Sequence, residues 1–271
     1  MKAIAKFLAL GSAFAPLLIA SGIDEAFAHL YNCNFPAAHA TIDRYIAQTP
    51  ADPVGYSVKG AAYLYSELDR LNVLESEFFE SDARIGDKKK LKPDPAVKEG
   101  FQRAIDRSFS MAEADLKRNA NDRNALFAMC VSKGEVVDYM ALIEKKQLAS
   151  LSVNKEAYRY ARRLLKLDPS FYDAYLTTGF TEYLLGDVPF VFRWFLKFDD
   201  VQGNKDTGLK NLQLVADKGN YMKPLAKILL AAAYLREKKF SLTQKLLQDL
   251  SHEFPANPLL KRELAKISAK M

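Results

Sequence analysis

His29 and Cys33 stand four residues apart, Glu25 precedes His29 by the same interval, and His39 follows close behind. On a helix that spacing puts carboxylate, imidazole and thiol on one face, which is metal-ligand chemistry in outline. A stable site needs a third or fourth converging ligand, so the expectation is a packed histidine and an ordinary thiol, with no metal and no cofactor. A cut after Ala28 would make His29 the amino terminus, able to chelate copper through its amine and ring. That cut would remove two turns of the helix read below, which argues against it. Asp199 and Asp200 are adjacent acids running into a loop, a solvated arrangement with nothing nearby to raise a carboxyl pKa. No Gly-rich phosphate loop, nucleophile elbow or His-Glu-x-x-His helix is present, and three histidines leave little to build with. The chain reads as a non-enzyme.

The elements that would position these residues are helices in pairs. A length of 271 residues with 49% apolar composition is ample for a sizeable core. Pro50, Pro53, Pro169, Pro224 and Pro255 punctuate the apolar runs where helix boundaries would want them. Four segments then repeat one spacing, a small residue followed five positions later by another: Gly55 and Gly60, Ala125 and Cys130, Ala174 and Gly179, Ala226 and Ala231. Small residues so spaced let two helices approach closely. Between these segments lie period-3.6 apolar faces stopped by proline, as in Lys155 to Pro169 and Phe240 to Pro255.

These features resemble the tetratricopeptide repeat, a helical hairpin of 34 residues that stacks into a solenoid. From Ala26 to the equivalent Gly60 is 34 residues; the later intervals, to Cys130, Gly179 and Ala231, are 70, 49 and 52. The departures are Ala120 and Tyr221 at the closing proline, Cys130 at the central glycine, and Leu209 or Thr243 where a small Ala is usual. The resemblance implies an all-α solenoid of about five hairpins over residues 22–271, with insertions at about 71–96 and 187–202 and a polar C-terminal capping helix. It also implies a concave groove lined by the first helix of each unit. On this register the groove takes Phe27 and Tyr31 with Ile23 and Leu30, then Leu64 and Tyr65 with Ser57 and Ala61. The third unit offers Phe127 and Val131 with Asn124 and Glu135, and the fourth Phe180 and Tyr183 with Asp173 and Leu176. The lining is apolar and aromatic. Its first two units lack the Lys, Asn and Arg with which chaperone-binding members clamp a terminal carboxylate.

Both insertions have distinct chemistry. Residues 71–96 run from acidic (Glu75, Glu77, Glu80) to basic (Lys88, Lys89, Lys90) and end in Pro93-Asp94-Pro95, as a solvated surface loop would. Residues 187–202 place Val188, Val191, Phe192, Phe195 and Phe198 on one helix face, and Phe190 and Trp194 on another. Such a helix plugs the groove, lies in a membrane interface, or binds a partner.

At the N-terminus, Lys2 and Lys6 precede an uncharged run over residues 7–23 that is short for a spanning helix. A cleavable leader over residues 1–21 is the expectation, with an uncleaved anchor as the alternative. Export would take the protein to the periplasm and away from nucleic acids. Cys33 and Cys130 read as two free thiols, too far apart on a solenoid to join. The leading functional expectation is an adaptor that docks a protein partner of the cell envelope through the apolar groove or through Phe190, Phe192, Trp194 and Phe195. Peripheral membrane contact is a further role for the same aromatics. The alternative is a carrier or receptor for an apolar small molecule or lipid. The two differ in one feature: a carrier needs an enclosed apolar pocket, an adaptor an open face.

Overall fold

A computed structural model of the chain describes residues 22–75, 91–187 and 203–271. Among these residues there are eleven α-helices and no strand. In order they are α1 (Gly22–Tyr31), α2 (Phe35–Gln48), α3 (Pro53–Arg70), α4 (Pro95–Arg118), α5 (Arg123–Asp138), α6 (Gln147–Leu167), α7 (Tyr175–Asp187), α8 (Lys205–Lys218), α9 (Lys223–Arg236), α10 (Phe240–Glu253) and α11 (Pro258–Ser268). A π-helical turn, Tyr139–Ile143, extends α5, and a 3-10 turn, Tyr172–Ala174, leads into α7.

The starts of these helices follow from side-chain chemistry. Asp52-Pro53, Asp94-Pro95 and Asn257-Pro258 each put an acceptor at the cap and proline at the first helical position. There its missing N–H costs nothing and its fixed φ suits the helix. Asp94 accepts from the amides of Ala96 and Val97, and Asn257 from those of Leu259 and Leu260.

Neighbouring helices pack as pairs, α1 with α2 through α9 with α10, and α11 lies on α10. Close approach depends on small residues. A Cβ at Gly179 of α7 would fall 3.0 Å from the Gly208 carbonyl of α8, and one at Gly208 would fall 2.5 Å from the Tyr183 amide. Gly60 of α3 instead faces side-chain ends, Ile105 of α4 and Glu135 of α5, and not a neighbouring backbone. The small residue facing Gly179 is Gly208, one position before the Leu209 that the repeat spacing designates. In the last pair Thr243 is buried and its hydroxyl donates to the Ala231 carbonyl at 3.3 Å.

Residues 76–90 and 188–202, which hold most of both insertions, lie outside the described residues, as do 1–21. The flanks of the insertions are pinned. Buried Glu67 accepts from the Asp94 amide at 2.7 Å and pairs with Arg70, which reaches the Lys92 carbonyl. Gly203, with φ +62°, lies against the backbone of Leu185 where no side chain would fit.

Candidate functional site

Six of the eight groove positions, Phe27, Tyr31, Tyr65, Phe127, Val131 and Phe180, pack on one core, while Leu64 lies in a second core with Phe101 and Ile105. Leu64 is 0% exposed, Phe127 3%, Tyr183 4% and Phe27 6%. Val131 and Phe180 are half-buried against the same core, as are Tyr31 and Tyr65. Phe190, Phe192, Trp194 and Phe195 lie outside the described residues. Ser57 and Asp173, which the register also turns toward a groove, are buried in seams between helices.

Aromatic rings cross the interior as a row. Phe171 packs on Phe127 at 5.0 Å, Phe127 lies 6.3 Å from Tyr221, and Tyr221 stacks on Phe27 at 5.3 Å. Phe27 continues to Tyr31 at 6.0 Å, and Tyr31 to Phe254 at 5.3 Å. Such ring pairs add about 0.5–1.5 kcal/mol each beyond the area they bury. The row joins α1 to the segment before α9 and to the end of α10, so the first and last parts of the described chain meet.

Asp173 fixes the middle of this row. Its carboxylate accepts from the amides of Asn220, Tyr221 and Met222, at 2.8, 3.0 and 3.2 Å. These are donors that the approaching α9 would otherwise leave unpaired. Burial pushes the Asp173 carboxyl up, against the three amides that favour its charged form. The Tyr221 carbonyl, held in place, accepts from the Tyr31 hydroxyl at 2.9 Å. In the sequence Tyr221 stands out only as a residue in place of the closing proline; a buried acid preceding a helix pair is a signal that spacing alone does not supply.

Beside Tyr31 the closure leaves a cavity of about 160 Å³. Leu30 and Tyr31 of α1 and Tyr65 of α3 form one wall. Leu225, Ile228 and Leu235 of α9 and Leu247 of α10 form another, and Leu259, Leu260 and Ile267 of α11 a third, leaving the space partly open to solvent. Most polar groups on the wall are engaged elsewhere. Asn257 donates to the Tyr31 carbonyl at 2.7 Å while it caps α11, Thr243 bonds Ala231, and Glu263 pairs with Lys266 at 2.9 Å. Cys33, at φ 56° in the α1–α2 turn, completes the wall, and burial pushes its thiol up to about 11. A thiol so raised is a poor nucleophile and a poor metal ligand at neutral pH.

The residues singled out for metal chemistry separate. His29 pairs with Glu25 at 3.6 Å, while His39 lies tilted against the Tyr63 ring at 4.4 Å, where burial and the Lys59 charge lower its pKa to about 4. Among the described residues no three His, Cys, Asp or Glu side chains converge. Both cysteines are free; the thiol of Cys130 lies 3.0 Å from the Thr177 hydroxyl. Among the same residues no helix is long and apolar enough to cross a membrane.

Comparison with protein-family models, with curated proteins and with solved structures returns no match.

Proposed function

We propose that this chain is an exported, tetratricopeptide-like solenoid that binds an apolar small molecule in the cavity between its first and last helices, as a carrier or receptor and without catalysis. One observation carries the reading: a space of about 160 Å³ is walled almost wholly by aliphatic and aromatic side chains, and most of its few polar groups are already bonded. An enclosed apolar cavity of about 150 Å³ accepts benzene; this space has a like volume and a partly open side, so it takes one ring or a short alkyl chain with room for a ligand to extend outward. The repeat assignment draws on the 34-residue interval from Ala26 to Gly60 and on the helices packed in neighbouring pairs. The basic, apolar leader supports export to the cell envelope.

The protein-adaptor reading has less to draw on. Phe27, Leu64, Phe127 and Tyr183 are spent on the interior, which leaves that reading to the aromatics of residues 190–195. Native mass spectrometry of the chain extracted gently from its own envelope separates the two. A co-purifying apolar molecule of about one ring in size is the expected result. A clean apoprotein crosslinked to a protein partner would replace carrier by adaptor.

A further inference from the structure

Tyr31 and Tyr65 stand in the same cavity wall, yet their hydroxyls differ. That of Tyr31 donates to the Tyr221 carbonyl at 2.9 Å. That of Tyr65 has no hydrogen-bond partner among the described residues, and it is not sealed in the core as the Tyr139 hydroxyl is. The Tyr65 ring packs on the main core and on the core around Leu64, so the open space left to it is the cavity. A tyrosine hydroxyl in a folded interior usually finds a partner, and phenylalanine would fill the wall as well without needing one. Burial, then Tyr31 and the acids Asp138 and Glu135, hold the Tyr65 phenol well above its ordinary range, so it keeps its proton at neutral pH and can donate it. Burial likewise pushes the Asp138 carboxyl up to about 7. The wall's other oxygen- and nitrogen-bearing side chains, Thr243, Asn257 and Glu263, are all bonded. Glu263 is the one charged side chain among the described residues of the wall, so no cation stands there to meet an anionic ligand.

We infer that the ligand of this cavity is a neutral oxygen compound, an aromatic or short-chain ketone, aldehyde or alcohol, whose oxygen accepts a hydrogen bond from the Tyr65 hydroxyl. The inference rests on the cavity reading above and names the chemistry of its ligand. The apolar body packs on the aliphatic side chains of α9, α10 and α11, and Tyr65 selects for the oxygen. A hydrocarbon of the same shape leaves that hydroxyl unpaired. A carboxylate or phosphate would give up its water with no positive charge to replace it.

Calorimetry on the full chain at pH 7 tests this with acetophenone and α-methylstyrene, which share a shape and differ in having a carbonyl oxygen or a methylene group at one position. The wild type is expected to bind both. Tyr65→Phe is expected to weaken acetophenone at least about threefold, with α-methylstyrene held within twofold. The infrared carbonyl band of acetophenone bound to the wild type should lie below its position in an alkane solvent, as a hydrogen-bonded carbonyl does. Should the variant not fold, that band alone decides. A smaller loss of acetophenone, an equal loss of both probes, a wild type that takes only α-methylstyrene, or a band at its alkane position would each overturn the oxygen ligand; in these cases the cavity still binds. Failure of both probes to bind the wild type would remove the cavity reading and the inference with it.

Discussion

The seam among α3, α4 and α5 and the seam between α1 and α9–α11 are both buried, yet one is closed and the other is hollow. In the first, Ser57, Ser108 and Ser132 are each 0% exposed and bonded to one another at 2.8–3.0 Å, and Ser57 and Ser108 also reach the Pro53 carbonyl. Hydroxyls that small let three backbones close on each other, and each of the three finds a partner inside. The second seam joins residues 190 and 226 positions apart, Tyr31 with Tyr221 and with Asn257. It is made of rings and long aliphatic chains that hold the backbones apart, and space remains beside Tyr31. Helices adjacent in sequence pack tightly through small residues; the closure of the chain ends, made with large ones, leaves room for a guest.

The comparison breaks hardest at Asp173. Asp173→Ala removes three charge-assisted bonds and frees the Tyr221 segment, with an expected loss of about 3–4 kcal/mol in chemical unfolding. Cavity binding should be lost with it, while the serine seam has no part in the change. A smaller loss would mean that the aromatic row holds the segment unaided.

A second effect appears on changing pH. The folded state raises the Asp138 pKa to about 7 from an ordinary value near 3.8. Its contribution is therefore fully present below about pH 4 and is lost as pH rises toward 7. Across that window the slope is at most about 1.4 kcal/mol for each tenfold fall in proton concentration, and less for a side chain that keeps some contact with water. Asp138→Asn removes that slope. The variant should match the wild type near pH 4 and exceed it by about 1–2 kcal/mol at pH 8, as thermal unfolding across that range would record. Parallel curves would mean that an ionised Asp138 is already compensated.

Within the closed seam, Ser57→Ala leaves Ser108 and Ser132 bonded to each other at 3.0 Å and should cost only about 1 kcal/mol. A loss several times larger would make that seam as dependent on one residue as the hollow one is on Asp173. Smallest of all is Gly134→Ala in α5, where an added Cβ meets nothing within 4 Å. It should raise stability by about 0.5–1 kcal/mol, because alanine surrenders less backbone entropy in a helix.

Much of the helical architecture was legible in the sequence because its causes are local. Proline after an acidic or amide cap sets α3, α4 and α11, and the small residues at Gly60 and Gly179 mark close approach within pairs. The single-position difference between Leu209 and Gly208 arises because the close approach is made by whichever residue lacks a side chain, and spacing counts residues without weighing them. The cavity was not legible. It depends on α11 and the Tyr221 segment returning to α1, contacts between chain ends that no 34-residue period encodes. Asp173 was legible as an acid at a groove position, but its partners, three amides 47 to 49 residues away, follow only from the closure.

The most direct test of the hollow seam is to fill it. Ala232 lines the cavity on α9, and Ala232→Phe would put a ring where a ligand is proposed to sit. Calorimetric titration of ethylbenzene should give saturable, one-to-one binding to the wild type and none to the variant, with both chains equally helical by circular dichroism. Equal binding to both, or none to the wild type, would contradict a ligand cavity at the meeting of the chain ends.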